Sequence, residues 1–245
     1  MYNLRLVRTA SDAHNDPMQT VLLIAASRGL GLAMAEEFLK RDWNVIGTVR
    51  GTTRTKLHDL ADRYPGRLEI ESLDICDQAQ VKALHQRLSG RAFEILFVNA
   101  GTTNNEKETI GEVSTEEFIR VMTTNALCPM RVLESLQDLV TTDGLIGVMS
   151  SGQGSLTNNV NGMREVYRGS KAALNQFMRS FAARQSSTKR ALALMAPGWV
   201  RTDLGGPEAR LSIDESIPNL VNVLLEKRTR PGLEYLDYLG RTVPW

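Results

Sequence analysis

From Thr20 onward, short apolar runs alternate with longer amphipathic stretches. Val21-Leu22-Leu23-Ile24 precedes a helical pattern over residues 30–40, Asn44 to Val49 precedes one over 55–64, and the run 68–73 precedes one over 80–88. The rhythm resumes at 94–98 and 145–149, each followed by a long helical stretch, and at 191–195 ahead of a helical segment over 217–227. These runs are apolar throughout rather than alternately apolar and polar, which predicts strands buried on both faces. Such strands, separated by helices, predict an α/β fold: one doubly wound parallel sheet with helices on both faces and right-handed crossovers. About seven strands are expected, counting an edge strand at 234–239 behind the turn Pro231-Gly232. Ser114-Thr115-Glu116-Glu117 has the pattern of a capping box and opens a long helix over 115–139. A second helix presents Leu174, Phe177, Met178 and Phe181 at offsets suited to core packing. Residues 1–18 lack periodicity and read as an extension ahead of a single domain spanning 19–245.

The composition, 42% apolar and 23% charged over 245 residues, is that of an ordinary globular chain with a sizeable core. Lys+Arg 29 against Asp+Glu 28 leaves a formal charge of +1, so neither nucleic acid nor an anionic membrane surface is an expected partner. No apolar run approaches the ~20 residues needed to span a bilayer, and no apolar signal core opens the chain. Cys76 and Cys128 have neither metal-ligand nor redox spacing, which fits a reducing cytosol and predicts no metal. A cytoplasmic protein acting on a small molecule is expected.

In an open parallel sheet, ligands gather beyond the carboxyl ends of the strands, where the strand order reverses. The first strand ends there, in Ala25-Ala26-Ser27-Arg28-Gly29-Leu30-Gly31, a turn of small residues entering a helix whose free N–H groups can hold a pyrophosphate. Sites that prefer NAD usually carry an acid at the end of the second strand to hold the ribose hydroxyls; this chain has Val49-Arg50. Arg50, together with Arg28 in the turn, suits a ribose 2′-phosphate, so NADP(H) is the preferred cofactor and NAD(H) the alternative. Asp74 and Ile75, ending the third strand, are placed to meet the adenine, and Asn99-Ala100-Gly101 is small enough to pass beside a flat cofactor.

Tyr167 and Lys171 stand one helical turn apart. A free phenol ionises near pH ~10, and an ammonium on the same helix face would favour its ionised form, making the tyrosine a usable acid and base. Chance alone supplies such a pair roughly one time in seven at this Tyr and Lys content, so its weight depends on its neighbours. Ser150-Ser151 follows the fifth strand, and either hydroxyl could orient a carbonyl oxygen. Asn125 sits inside the long helix, where asparagine is unfavourable; buried there it needs a partner, and it could hold a water that links Lys171 to solvent. A hydrolase is the weaker reading, given the lack of a Gly-x-Ser-x-Gly elbow and the placing of His14, His58 and His85 in early segments.

Together these residues resemble the short-chain dehydrogenase/reductase family over residues 20–245. The resemblance rests on Tyr167 and Lys171, an upstream serine, Asn125, Asn99-Ala100-Gly101 and the run Pro197-Gly198-Trp199-Val200-Arg201-Thr202-Asp203. A closer similarity, to the subgroup of small carbonyl reductases and developmental-signal (C-factor-like) homologues, is carried by Met149-Ser150-Ser151-Gly152, by the residues from Tyr167 to Asn175 and by those from Pro197 to Pro207. The resemblance implies a Rossmann fold with a small substrate loop near 203–216. It selects Ser151 over Ser150, adds Asn125 to the catalytic set with Tyr167 and Lys171, and gives Pro197, Gly198, Val200 and Thr202 the nicotinamide. It also implies pairing into a homodimer or homotetramer through the helices near 115–139 and 167–183. The expected reaction interconverts a ketone or aldehyde and its alcohol; the rival expectation is an NADP(H)-binding sensor with little turnover. One departure supports that rival: the family turn reads Thr-Gly-x-x-x-Gly-x-Gly, whereas Ile24 replaces its threonine and Ala25 its first glycine. The Ala25 methyl is expected to crowd the adenosine side, and the missing hydroxyl to loosen the turn. The substrate pocket is expected between 102–105, 152–165 and 204–212.

Overall fold

The computed structural model describes residues 18–245; the expected extension lies outside them apart from Met18. Seven strands, β1 (Thr20–Ile24), β2 (Asn44–Val49), β3 (Leu68–Ser72), β4 (Phe93–Val98), β5 (Val140–Met149), β6 (Ala191–Ala196) and β7 (Gly232–Asp237), form one sheet in the order β3-β2-β1-β4-β5-β6-β7. Every neighbouring pair is parallel. The order reverses between β1 and β4, which opens a crevice at their carboxyl ends.

The unbroken apolar runs have the cause that the pattern implied. Within each central strand, alternate residues enter opposite cores, because successive side chains point to opposite faces of a sheet. Leu22, Ile24, Leu96, Val98, Ile146 and Val148 pack on one side against helices α3 (Gln78–Leu88), α5 (Cys128–Leu136) and α6 (Glu165–Arg184). Val21, Leu23, Ile95, Phe97, Leu145 and Met195 pack on the other against α1 (Gly29–Lys40), α2 (Lys56–Arg63) and α7 (Ile213–Lys227).

The fold departs from expectation in four places. The long helix over 115–139 is broken: α4 (Thr115–Met122) passes into a π-helical turn at Thr123–Leu127 before α5. Pro129, in the first turn of α5, has no N–H to offer the carbonyl four residues back at Asn125, and wider π turns accommodate such interruptions. Ser114 does cap α4, accepting the Glu117 N–H at 3.2 Å. Strand β5 begins five residues early, because its first half carries polar Thr141, Thr142 and Asp143 and does not read as an apolar run. The last strand, expected at 234–239, lies two residues earlier at Gly232–Asp237, because the chain beyond it folds back through an antiparallel bridge between Leu236 and Thr242. Phe177, expected in the core stripe of α6, is exposed, whereas Leu174, Met178 and Phe181 are buried.

Candidate active site

The turn after β1 is held from β2. Thr48, buried within that strand, accepts the Ala25 N–H on its hydroxyl at 2.8 Å, and its carbonyl accepts the Ala26 N–H at 2.8 Å. Asn99 closes the turn from β4, its side-chain amide donating to the Ala25 carbonyl at 3.1 Å. Ala25 thereby sits at φ +66°, left-handed backbone that glycine adopts without penalty. Gly31 is required for a different reason. A Cβ there would lie 2.2 Å from the Ala25 carbonyl oxygen and 2.7 Å from the Asn99 amide nitrogen, so α1 could not pack against the turn.

Helices α3, α4 and α7 begin with side-chain caps from Asp77, Ser114 and Ser212. Helix α1 has none: Arg28 stands at its cap position in extended conformation, and its side chain pairs with Asp203 at 2.5 Å instead. The first N–H groups of α1 therefore have no side-chain cap at the mouth of the crevice, an arrangement that suits a phosphate. Arg50 stands exposed beside it. Asp74 caps its own loop, accepting the Cys76 N–H at 2.9 Å.

Across the crevice, β6 ends in Pro197-Gly198, where Gly198 takes φ +83° and a Cβ would lie 2.5 Å from Leu211. The following loop is tied down by a bridge from Val200 to Leu211, by Thr202 accepting the Gly205 N–H at 3.1 Å, and by Trp199 donating to the Gly205 carbonyl at 2.7 Å.

The crevice is one cleft of about 820 Å³. Every residue expected to hold the cofactor lines it except Gly31, and Ser151, Tyr167 and Lys171 line it as well. Asn125 stands behind the wall, fully buried in the π turn. Its side-chain oxygen accepts the Thr102 N–H at 2.7 Å, and its amide donates to the Thr102 carbonyl at 2.8 Å and to Ser170 Oγ at 2.9 Å. The amide group thus anchors the Gly101-Thr102 corner to α6, which accounts for a buried asparagine in a helix.

Tyr167 is buried, 6% exposed. Burial pushes its phenol above the ordinary value, opposed by Ser151, which favours the ionised form through a hydrogen bond, and by the positive charge of Arg164. The Arg164 guanidinium lies 5.7 Å from the ring centroid and is itself paired with Glu106 at 2.8 Å. Lys171 donates from Nζ to the Met149 carbonyl at 2.8 Å, and its own burial lowers its pKa to about 8.

The lining of the cleft beside Tyr167 also differs from expectation. Residues 102–105 do not line the cleft, because Arg120 holds Thr102 through its hydroxyl and Thr103 through its carbonyl, each at 2.8 Å. Their place is taken by Asp237 at the end of β7 and by Tyr238, Arg241 and Val243 beyond it, which line the cleft together with Gln153, Asn158 and Arg164. The carboxyl-end rule, applied to the last strand as it was to the first, would have found them. Thr48, a hydroxyl inside an otherwise apolar run, was the overlooked sign of a tied turn.

Comparison with known proteins agrees with this geometry. A family profile described as enoyl-(acyl carrier protein) reductase matches residues 24–217. The chain belongs to the short-chain dehydrogenase/reductase family. A short-chain dehydrogenase/reductase from Burkholderia multivorans, so described and solved with bound NADP, is 67% identical, covers 94% of this chain and 100% of its own, and superposes with a TM-score of 0.93. A carbonyl reductase from Pseudomonas aeruginosa PAO1 in complex with NADP is 32% identical over 94% of this chain and 100% of its own, with a TM-score of 0.87. The C-signal protein of Myxococcus xanthus is 33% identical over 154 residues, 62% of this chain and 92% of that protein. The chain is therefore an oxidoreductase by family. No helix among the described residues is long and apolar enough to cross a membrane.

Proposed function

We propose that this protein is an NADP(H)-dependent reductase that interconverts a ketone or aldehyde and its alcohol, with Tyr167 as the general acid and base. The observation that carries the reading is the convergence of Ser151, Tyr167 and Lys171 on a cleft whose other end holds an uncapped helix start and two arginines. The residues fit a phosphorylated dinucleotide. The N–H groups of Gly29, Leu30 and Gly31 would take the pyrophosphate, Arg28 and Arg50 the 2′-phosphate, Asp74 and Ile75 the adenine side, and Pro197, Gly198, Val200 and Thr202 the nicotinamide. When bound, the cofactor supplies the hydride. The NADP complexes of the Burkholderia and Pseudomonas proteins support this choice.

In the reductive direction the Ser151 hydroxyl donates to the substrate carbonyl oxygen and fixes its position. The Tyr167 hydroxyl then gives that oxygen its proton as the carbonyl carbon is reduced, yielding an alcohol and a phenolate. Lys171 would hold the nicotinamide ribose and stabilise the phenolate, whose charge burial otherwise disfavours. Asn125 keeps the Gly101-Thr102 corner in register with α6, beside the water path by which Tyr167 regains its proton. Exposed Phe118, Ile119 and Phe177 on α4 and α6 agree with pairing of two copies through those helices.

The test is NADPH consumption against reactive aldehydes and diones by Tyr167→Phe. A fall in kcat of about 10²–10⁴ is expected from loss of the general acid, with NADPH binding retained. Activity within a few-fold of wild type would sink the assignment. NADPH binding without consumption of any carbonyl by the wild-type protein would favour the sensor.

A further inference from the structure

Ser151 Oγ depends on the backbone that carries it, and that backbone is held from the edge strand of the sheet, β7. The Ser151 carbonyl accepts two hydrogen bonds. One is local, from the Gly154 N–H at 2.8 Å, and closes the short helical turn over residues 152–154. The other comes from the hydroxyl of Tyr235, 84 residues away on β7. Two donors fill both lone pairs of a carbonyl, so the peptide plane that follows Ser151 has no freedom to rotate without breaking one of them.

Tyr235 is built for this position. It is 1% exposed, its strand partner Leu194 lies on β6, and its ring packs on Trp245 with centroids 5.5 Å apart. The Val243 N–H donates to its backbone carbonyl at 2.8 Å, so the returning tail holds the residue in place. Trp245 in turn lies under Arg179 of α6 at 4.5 Å, and its carbonyl accepts from Thr157 at 2.7 Å, joining the tail to the loop that follows Ser151. Beside this tie, Ser150 donates to Asn175 at 2.6 Å and Asn175 donates to the Gly154 carbonyl at 3.2 Å. The exit of β5 is thus clamped by α6 on one hydrogen-bond path and by β7 on another.

We propose that Tyr235 is a positioning residue for the reaction: its hydroxyl, donated to the Ser151 carbonyl, sets where the Ser151 side chain meets the substrate oxygen. The inference rests on the reading above, in which Ser151 orients the carbonyl. Orientation of this kind is sensitive to small displacements, a shift of about 1 Å costing on the order of 10²-fold in rate. Tyr235→Phe removes one oxygen atom and leaves the Ser151 carbonyl bonded to the Gly154 N–H, so no buried acceptor is orphaned and the chain should fold.

The experiment is a double-variant cycle on Tyr235→Phe, Ser151→Ala and the pair together. NADPH oxidation with a reactive dione as probe is followed at steady state and under single turnover, with NADPH affinity read from tryptophan fluorescence. Tyr235→Phe is expected to lower kcat by about 10-fold. It should leave NADPH affinity within about twofold and change nothing further in the Ser151→Ala background, because it acts through that serine. Wild-type kcat in Tyr235→Phe, or the same fold loss in both backgrounds, would overturn the inference while leaving the reductase reading intact. Full activity in Ser151→Ala would overturn that reading, and the role of Tyr235 with it.

Discussion

Ala25 shows how a residue that the sequence marks as unusual carries a cost that only the structure locates. The sequence marks it as a departure from the family glycine; the structure places its strain in the backbone, at φ +66°. Left-handed backbone costs a non-glycine residue about 1–2 kcal/mol. Glycine recovers that cost but returns about 0.4–1 kcal/mol through the greater freedom of its unfolded chain. Ala25→Gly is therefore expected to stabilise the protein by up to about 1 kcal/mol in urea denaturation without weakening NADPH binding. A clear loss of stability would show that the turn draws more from the Ala25 methyl than it loses to strain. The missing threonine hydroxyl at position 24 is offset by Thr48, whose hydroxyl reaches the same turn from the next strand. Only the pairing of β1 with β2 brings that hydroxyl there, so no reading of the turn alone could include it.

At the scale of the element, α6 is a platform whose buried side, Leu174, Met178 and Phe181, fixes Tyr167 and Lys171 relative to the sheet. Holding a lysine in that position has a cost that depends on pH. Burial lowers the Lys171 pKa to about 8, below the ~10.4 of an unfolded chain. Between those values the unfolded state binds more protons than the folded state, so this group makes stability rise with pH across that window and leaves it flat below. Lys171→Met removes the effect. Urea denaturation of both proteins from pH 7 to pH 10 is expected to show the variant gaining relative to wild type at the low end and losing that advantage toward the high end. A difference independent of pH would mean that the ammonium is not desolvated as its surroundings imply. The same helix pair shows where periodicity runs short as a guide. Residues 115–139 keep a helical pattern throughout, and Pro129 is the one written sign of the π turn that buries Asn125.

At the scale of the molecule, the cleft exists because the order β3-β2-β1-β4-β5-β6-β7 reverses between β1 and β4. That reversal brings Arg28, from the first crossover, against Asp203, from the last. Both side chains are mostly exposed, 72% and 81%, so the pair contributes little to stability and Arg28 is free to exchange partners. A 2′-phosphate would draw it away and meet Arg50 from the other side. Arg28→Ala and Arg50→Ala are each expected to weaken NADPH binding by about 5- to 50-fold, as loss of a charge-assisted contact does, and to leave NADH binding within about twofold. The effect should shrink as salt is raised. An unchanged ratio of NADPH to NADH affinity in the double variant would exclude these two residues as the selectors.

The sequence by itself determined the layered plan, the strands and most of the helices, because apolar runs buried on two faces admit few other arrangements. It also determined most of the residues that meet at the dinucleotide end of the cleft, because the chemistry sits at carboxyl ends of strands and at a fixed spacing along one helix. Tertiary structure decided what holds those residues. Thr48 under the turn after β1, Asn125 on the Thr102 backbone, Tyr235 on the Ser151 carbonyl and the tail from Asp237 to Val243 along the cleft wall all join segments far apart in the chain. The physical reason is the same in each case. A hydrogen bond to a backbone carbonyl or N–H requires a polar side chain at the right place and leaves no pattern along the chain, because its partner is the one atom set that every residue shares.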